Sequence, residues 1–312
     1  MTPILDRAAK RFLDVLNAAA PPTEGPPSVA RLRAAATALA QFATPPPPAE
    51  RAEVCLTLDD RSLRVRLYSP PGRDADTLPG LVYFHGGGLV AGDLDSHDAL
   101  TAAIAAGAGC RVVAVDYRRA PEARFPAAFD DAVGATLAVL RDPARFRLAP
   151  GRTGVGGDSA GGQLAALAVR EATQAGAAPA LQYLLCPVMD PLARAPSRFA
   201  LAQGHLIDET TMRAYWDAYR VENLDPGDPR VAPLAASRFA GLPPALIHVA
   251  EADPLCDEGE SYAQALEAAG VRVRLTRHAG LIHHFYGLGA VIPAARAALA
   301  AAIAELAEAL NR

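Results

Sequence analysis

The stretch Gly157-Asp158-Ser159-Ala160-Gly161 constrains this chain more than any other. Before it lies a short run of small and β-branched residues, 153–156; after it, residues 163–171 are apolar at helical spacing. Ser159 therefore stands where a strand ends and a helix begins. Reversing the chain on one residue holds that residue in a strained backbone. Side chains at positions 157 and 161 would then strike the neighbouring strand and helix, so both must be small. A glycine-rich turn of this kind can also bind phosphate or simply pack tightly, and the pentapeptide alone does not discriminate.

The surrounding pattern sets the fold class. Apolar runs at 81–84, 111–115, 153–155, 181–185, 245–249 and 271–275 alternate with helix-like stretches at 96–106, 126–141, 160–175, 258–269 and 292–310. Near-continuous apolar strands separated by amphipathic helices predict an α/β fold with a mostly parallel sheet covered on both faces. Residues 54–58 and 63–68, flanking Asp59-Asp60-Arg61, read as a hairpin and bring the sheet to eight strands. Ahead of it, Ile4, Leu5, Ala8, Phe12, Leu13, Val15, Leu16 and Ala19 make one helical stripe, which Pro21-Pro22 ends. A second helical piece, 28–42, precedes the stiff run Pro45-Pro46-Pro47-Pro48. Residues 190–244 break the alternation with several prolines and a helical piece, 208–219, that carries Met212, Tyr215, Trp216 and Tyr219. Insertions of this size after a sheet strand usually shape a binding site. The expected organisation is N-terminal helices over 1–50 contributing to a cap, then a catalytic domain over 51–312 with a cap insertion at about 190–244.

A net charge of −4 with scattered basic residues gives no cationic stripe, so neither nucleic acid nor an anionic membrane surface is an expected partner. Residues 1–20 carry Asp6, Arg7, Lys10, Arg11 and Asp14, which interrupt any signal-peptide core. No run of about 18 uncharged apolar residues offers a membrane span. A cytoplasmic protein is the expectation, and the sequence leaves room for a homodimer. The four cysteines, Cys55, Cys110, Cys186 and Cys256, form no C-x-x-C pair and are expected to be buried reduced thiols.

A serine hydroxyl is nucleophilic only when a base takes its proton during attack. Of the seven histidines, His248 lies inside an apolar strand run and reads as core, while His97 and His205 sit near helix starts, where capping or surface roles are expected. His283 and His284 follow the last strand, at the sheet edge where loops converge. The base belongs to that pair. The acid that orients it should also leave a strand end. Asp253, after the 245–249 run, is the candidate, with Glu251 second; Asp257 and Glu260 instead read as a capping box for the next helix. His85-Gly86-Gly87-Gly88 follows the 81–84 strand, so backbone N–H groups of Gly86 and Gly87, with that of Ala160, are the expected oxyanion donors. His85 reads as a structural residue of that loop. No dinucleotide or P-loop fingerprint accompanies these glycines, so no nucleotide cofactor is expected. Adjacent histidines on a loop point apart and no H-E-x-x-H is present, so no catalytic metal is expected either. Phe199, Tyr215 and Trp216 are the expected cap residues at the pocket.

From 81 to 287 the chain resembles the hormone-sensitive-lipase-like family of α/β-hydrolases, the bacterial carboxylesterases. The likeness rests on His85-Gly86-Gly87-Gly88, Asp116-Tyr117-Arg118-Arg119-Ala120-Pro121-Glu122 followed by Phe125-Pro126-Ala127, the Ser159 elbow, and Asp253-Pro254-Leu255-Cys256-Asp257-Glu258-Gly259. Arg119 departs from the usual leucine, and His284 stands where the family's His-Gly-Phe has glycine. The resemblance assigns the base to His283 and puts His284 beside the acyl pocket. It implies an α/β-hydrolase fold with a helical cap, and cofactor-free hydrolysis of short-chain acyl esters by Ser159, Asp253 and His283. An amidase or deacetylase would use the same residues; a non-catalytic receptor on this fold is the alternative from another class.

Overall fold

A computed structural model describes residues 3–19 and 25–311; the helix stop expected at Pro21-Pro22 lies outside the described residues. The strands are β1 (Glu50–Thr57), β2 (Ser62–Ser69), β3 (Leu78–Phe84), β4 (Arg111–Val115), β5 (Leu148–Asp158), β6 (Gln182–Leu185), β7 (Ala245–Ala252) and β8 (Val273–Ile282). They form an eight-stranded sheet in the order β1-β2-β4-β3-β5-β6-β7-β8. Among these described strands β2 alone runs against the direction of the others, antiparallel to both β1 and β4. This is the α/β-hydrolase fold.

The helices are α1 (Arg7–Ala19), α2 (Val29–Leu39), α3 (Asp98–Ala108), α4 (Ala127–Arg141), α5 (Ala160–Gln174), α6 (Pro196–Ala200), α7 (Glu209–Tyr219), α8 (Cys256–Ala268) and α9 (Pro293–Leu310). Side chains alternate between the two faces of a strand, which explains the continuous apolar runs. In β3, Val82 and Phe84 join a core with Ala132 of α4, Leu164 of α5 and Leu266 of α8. Leu81 and Tyr83 face the opposite way, against Ile104 of α3 and Leu306 of α9. Among the described residues no helix is long and apolar enough to cross a membrane.

Strand order also creates the crevice. From β3 the chain passes to β4 on one side, and β5 then takes the other side of β3. Loops leaving β3 and β5 therefore diverge from a shared position, and β3 is the sheet's switch point. Phe84 pairs with Gly157 in register, so the glycine loop and Ser159 leave the sheet side by side.

Several expectations change. β5 is longer than the 153–155 run, because glycines and Asp158 carry the strand up to the serine. β8, at the sheet edge, is exposed or half-buried over residues 273–279 and runs on to Ile282. The capping box does not form. α8 starts earlier, at Cys256, after a turn in which Asp253 Oδ1 accepts the Leu255 N–H at 2.8 Å. Asp257 instead accepts the Ser197 N–H at 2.7 Å, and Glu260 pairs with Arg277 at 2.9 Å. Cys55, expected buried, is exposed on the edge strand β1; the other three cysteines are buried, and all four are free.

The stretch between β6 and β7 is fastened by a buried ion pair that sequence reading did not anticipate. Arg198 Nε donates to Glu258 Oε1 at 2.6 Å, and Glu258 Oε2 accepts the N–H groups of Met189 and Asp190 at 3.0 and 2.9 Å. With side chains only 5% and 1% exposed, neither charge has water to fall back on. At the other end of the chain, Arg33 of α2 donates to the carbonyls of Val90 and Ala120 at 3.0 and 3.1 Å and pairs with Glu122 at 2.6 Å. Glu258→Ala strands the Arg198 charge and two backbone donors, so a loss of about 3–5 kcal/mol in unfolding free energy is expected by urea titration; a loss below about 1 kcal/mol would mean the pair is not a fastening point.

Candidate active site

Ser159 links β5 directly to α5 at φ 53° and ψ −121°, a backbone region costly for a residue with a side chain. The predicted need for small neighbours has a steric cause. A β-carbon at position 157 would collide with the backbone of Gly161 and the Phe84 carbonyl, and one at 161 with the carbonyls of Phe84 and His85. The Ser159 N–H donates to the Leu185 carbonyl at 2.9 Å, and its own carbonyl accepts from Val188 at 3.1 Å. Bonds to β6 and the segment after it thus hold the strained residue in place.

Three side chains remote in sequence meet above this edge. His283, just past β8, lies with Nε2 3.1 Å from Ser159 Oγ and Nδ1 2.7 Å from Asp253 Oδ2. Asp253, just past β7, is fully buried, and its second oxygen is occupied by the Leu255 N–H at 2.8 Å. A carboxylate held at both oxygens fixes the imbidazole's hydrogen-bonding direction. Glu251 is turned elsewhere, accepting the Gly280 N–H at 2.9 Å. His284 adopts φ 63° and ψ 18°, the left-handed region that glycine occupies without strain. Its ring lies over Gly287 and 4.8 Å between centroids from Tyr286, and burial pushes its pKa down to about 3, leaving it neutral.

The glycine loop differs from expectation in one donor. Gly86 N–H donates to Asp158 Oδ2 at 3.1 Å, so it is already engaged. Gly87 and Gly88, at φ 116° and 62°, have N–H groups with no acceptor among the described residues, and the Ala160 N–H lies in the first turn of α5, where no intrahelical acceptor exists. His85 is buried beneath the loop, its Nδ1 2.8 Å from the Gly86 carbonyl and its ring stacked on Tyr117 at 4.3 Å. Burial, with His97 nearby, holds its pKa near about 3. Arg119, the departure from the family's leucine, donates to the Gly92 carbonyl and so props the segment behind these glycines.

Asp158 is a hub that sequence reading missed. It accepts from Tyr83 Oη at 2.7 Å as well as from Gly86, and His97 Nε2 lies 3.3 Å from Oδ2. His97 does stand at the N-cap position of α3, as its place near a helix start suggested, but its side chain makes no capping bond; the ring is buried against this carboxylate. Burial alone would raise the Asp158 pKa, but His97 and Tyr83 outweigh it and bring it down to about 2. For His97, burial works against the charged form and Asp158 overrides it, so its pKa is raised. Ser96 Oγ, 3.1 Å from His97 Nδ1, donates to the Asp93 carbonyl at 3.0 Å, which leaves it an acceptor for a second imidazolium proton.

A cavity of about 860 Å³ opens over these groups, bounded by Ser159, His283, His284 and Gly86 to Gly88 below and by Leu32 and Ala36 of α2 with Tyr215 and Trp216 of α7 above. Phe199 does not contribute. It is 69% exposed, because α6 turns its neighbour Arg198 inward to Glu258 and this points Phe199 to solvent.

Comparison with known proteins gives a consistent picture. The profile of the alpha/beta hydrolase fold family matches residues 81–287. An ethyl acetate hydrolase of Pseudomonas putida is 42% identical over 240 residues, 76% of this chain and 75% of that protein. The carboxylesterase NlhH of Mycobacterium tuberculosis is 36% identical over 318 residues, 99% of this chain and 97% of its own. Among solved structures, a thermostable esterase from Pseudomonas putida superposes with a TM-score of 0.93 at 33% identity, covering 99% of both chains. An ester hydrolase from the metagenome of Lake Arreo, complexed with a bipyridine phosphonate derivative, gives 0.93 at 34% identity, covering 99% of this chain and 100% of its own.

The Asp158–His97 pair carries a pH signature. The Asp158 contribution to stability is present above its ordinary value of 3.8 and is lost as pH falls toward about 2. That of His97 is full below 6.5 and is lost as pH rises through its higher folded value. His97→Gln is therefore expected to lower unfolding free energy by about 1.5–3 kcal/mol near pH 5. Urea titrations at rising pH should show the gap to wild type shrinking; a gap that widens toward pH 9 would contradict the charged pairing.

Proposed function

Because this chain belongs to the hormone-sensitive-lipase-like family of α/β-hydrolases and is a carboxylic ester hydrolase, we propose that it cleaves short-chain acyl esters through a Ser159–His283–Asp253 triad and an acyl-enzyme. The observation that carries this reading is the unbroken hydrogen-bonded line from Asp253 to His283 to Ser159, 2.7 and 3.1 Å, opening on the cavity.

Asp253 accepts the Nδ1 proton of His283 and so keeps Nε2 unprotonated toward Ser159. As Oγ attacks the ester carbonyl, Nε2 takes its proton, and the imidazolium that forms is stabilised by the adjacent carboxylate. The carbonyl oxygen becomes an oxyanion facing the N–H groups of Gly87, Gly88 and Ala160, while the Gly86 N–H donates to Asp158 and so holds the loop. Each such donor is worth on the order of 3 kcal/mol in the barrier. The imidazolium then protonates the leaving alcohol, and water repeats the cycle on the acylated serine.

Residues 1–50 and the 190–244 insertion act as the cap over a catalytic unit spanning 51–312, with Tyr215, Trp216 and His284 setting the space for the ester. The ethyl acetate hydrolase at 42% identity supports a short acyl chain.

Ser159→Ala is expected to lower p-nitrophenyl acetate turnover by about 10⁴-fold or more while the near-ultraviolet circular dichroism stays unchanged. His283→Ala should match it, whereas His284→Gly should stay within about tenfold of wild type, since it touches no transferred proton. The opposite ranking of the two histidines would reassign the base. Across esters from acetyl to dodecanoyl, kcat/KM should peak at the short end; a dodecanoyl optimum would remove the substrate class.

A further inference from the structure

Cys186 has no part in the proposed chemistry, yet it sits against its acid and base. It follows β6 with φ 44°, a left-handed conformation that disfavours any residue with a side chain and persists where the surroundings enforce it. Its N–H donates to the His248 carbonyl at 2.7 Å, and only 1% of the residue is exposed. The held thiol, an Asp253 oxygen and a His283 ring nitrogen lie within 4.8 Å of one another, and all three residues are buried. One sulfur, one nitrogen and one oxygen donor at this spacing form a ligand set suited to a borderline or soft divalent cation and unsuited to hard ones such as Mg²⁺ or Ca²⁺. His283 borders the cavity, which gives an ion a way in.

We propose that Cys186, Asp253 and His283 are an inhibitory site for Zn²⁺ or Cd²⁺, and that its occupancy switches hydrolysis off. The ion bonds to Sγ, Asp253 carboxylate oxygen and His283 Nδ1; the S–H proton leaves to solvent. The Nδ1 proton is given up and the imidazole carries one proton on Nε2 instead. With Nε2–H facing Ser159, the ring is a donor where the reaction needs an acceptor, and the nearby cation opposes a second charge on the ring. Turnover stops without any change at the serine or the glycine loop.

The effect on rate rests on the triad reading above, whereas binding does not, so the two are read separately. The full chain carrying Cys55→Ser, which removes the exposed thiol, is compared with the same chain bearing Cys186→Ala or Cys186→Ser. Thiolate-to-Cd²⁺ charge-transfer absorbance reports binding, and p-nitrophenyl acetate hydrolysis, scaled to each variant's own metal-free rate, reports inhibition. The expected result is absorbance growing in step with loss of rate, reversal by a chelator, no effect of Mg²⁺, and an inhibitory concentration at least tenfold higher in both Cys186 variants. Absorbance without inhibition would keep the site and count against His283 as the base. Equal inhibition with and without the thiol, or no Cys186-dependent absorbance, would overturn the site.

Discussion

A single buried carboxylate ties the working parts of this protein together. Asp158 is the last residue of β5, next to Ser159, and reaches Tyr83 on β3, the amide of Gly86 in the glycine loop, and His97 at the start of α3. An ion so deeply buried persists only when it is paired and hydrogen-bonded at every oxygen. Here the partners come from three different segments, so satisfying the charge also fixes where the serine, the loop and α3 sit relative to one another. The strained backbone at Ser159 and the left-handed glycines at 87 and 88 are held by this arrangement and by the contact of Gly161 with the end of β3.

The rest of the site depends on strand order. Because β3 lies between β4 and β5, the loop that follows it and the elbow that follows β5 face a common crevice. β7 and β8, at the far side, deliver Asp253 and His283 from their carboxyl ends to the same edge. Two fasteners close the crevice from above. Arg198 with Glu258 holds the stretch after β6 to α8, and Arg33 holds α2 to the segment behind the glycine loop.

The parts legible in the sequence were those with a local signature. Near-continuous apolar runs, helical stripes and the glycine pattern around Ser159 identified the fold class, and strand-end placement brought Ser159, Asp253 and the His283–His284 pair into view. What was not legible depends on tertiary partners. Nothing local in Gly86 says that its amide faces Asp158, or in His97 that it turns inward to a carboxylate sixty-one residues away. The Asp257–Glu260 spacing satisfied the rule for a capping box, but Asp253 started the turn sooner and Ser197 claimed Asp257. Phe199 looked like a pocket residue because it is aromatic; the buried pairing of its neighbour Arg198 decided its direction.

Position 284 shows how one local choice binds another. A left-handed residue there is free of strain only as glycine, yet histidine occupies it, and its ring fills the space that any β-carbon on Gly287 would need. The two positions are thus mutually exclusive seats for bulk: a side chain at one demands bare backbone at the other. Bulk at 287 therefore requires the ring at 284 to go, whereas glycine at 284 makes no demand on 287.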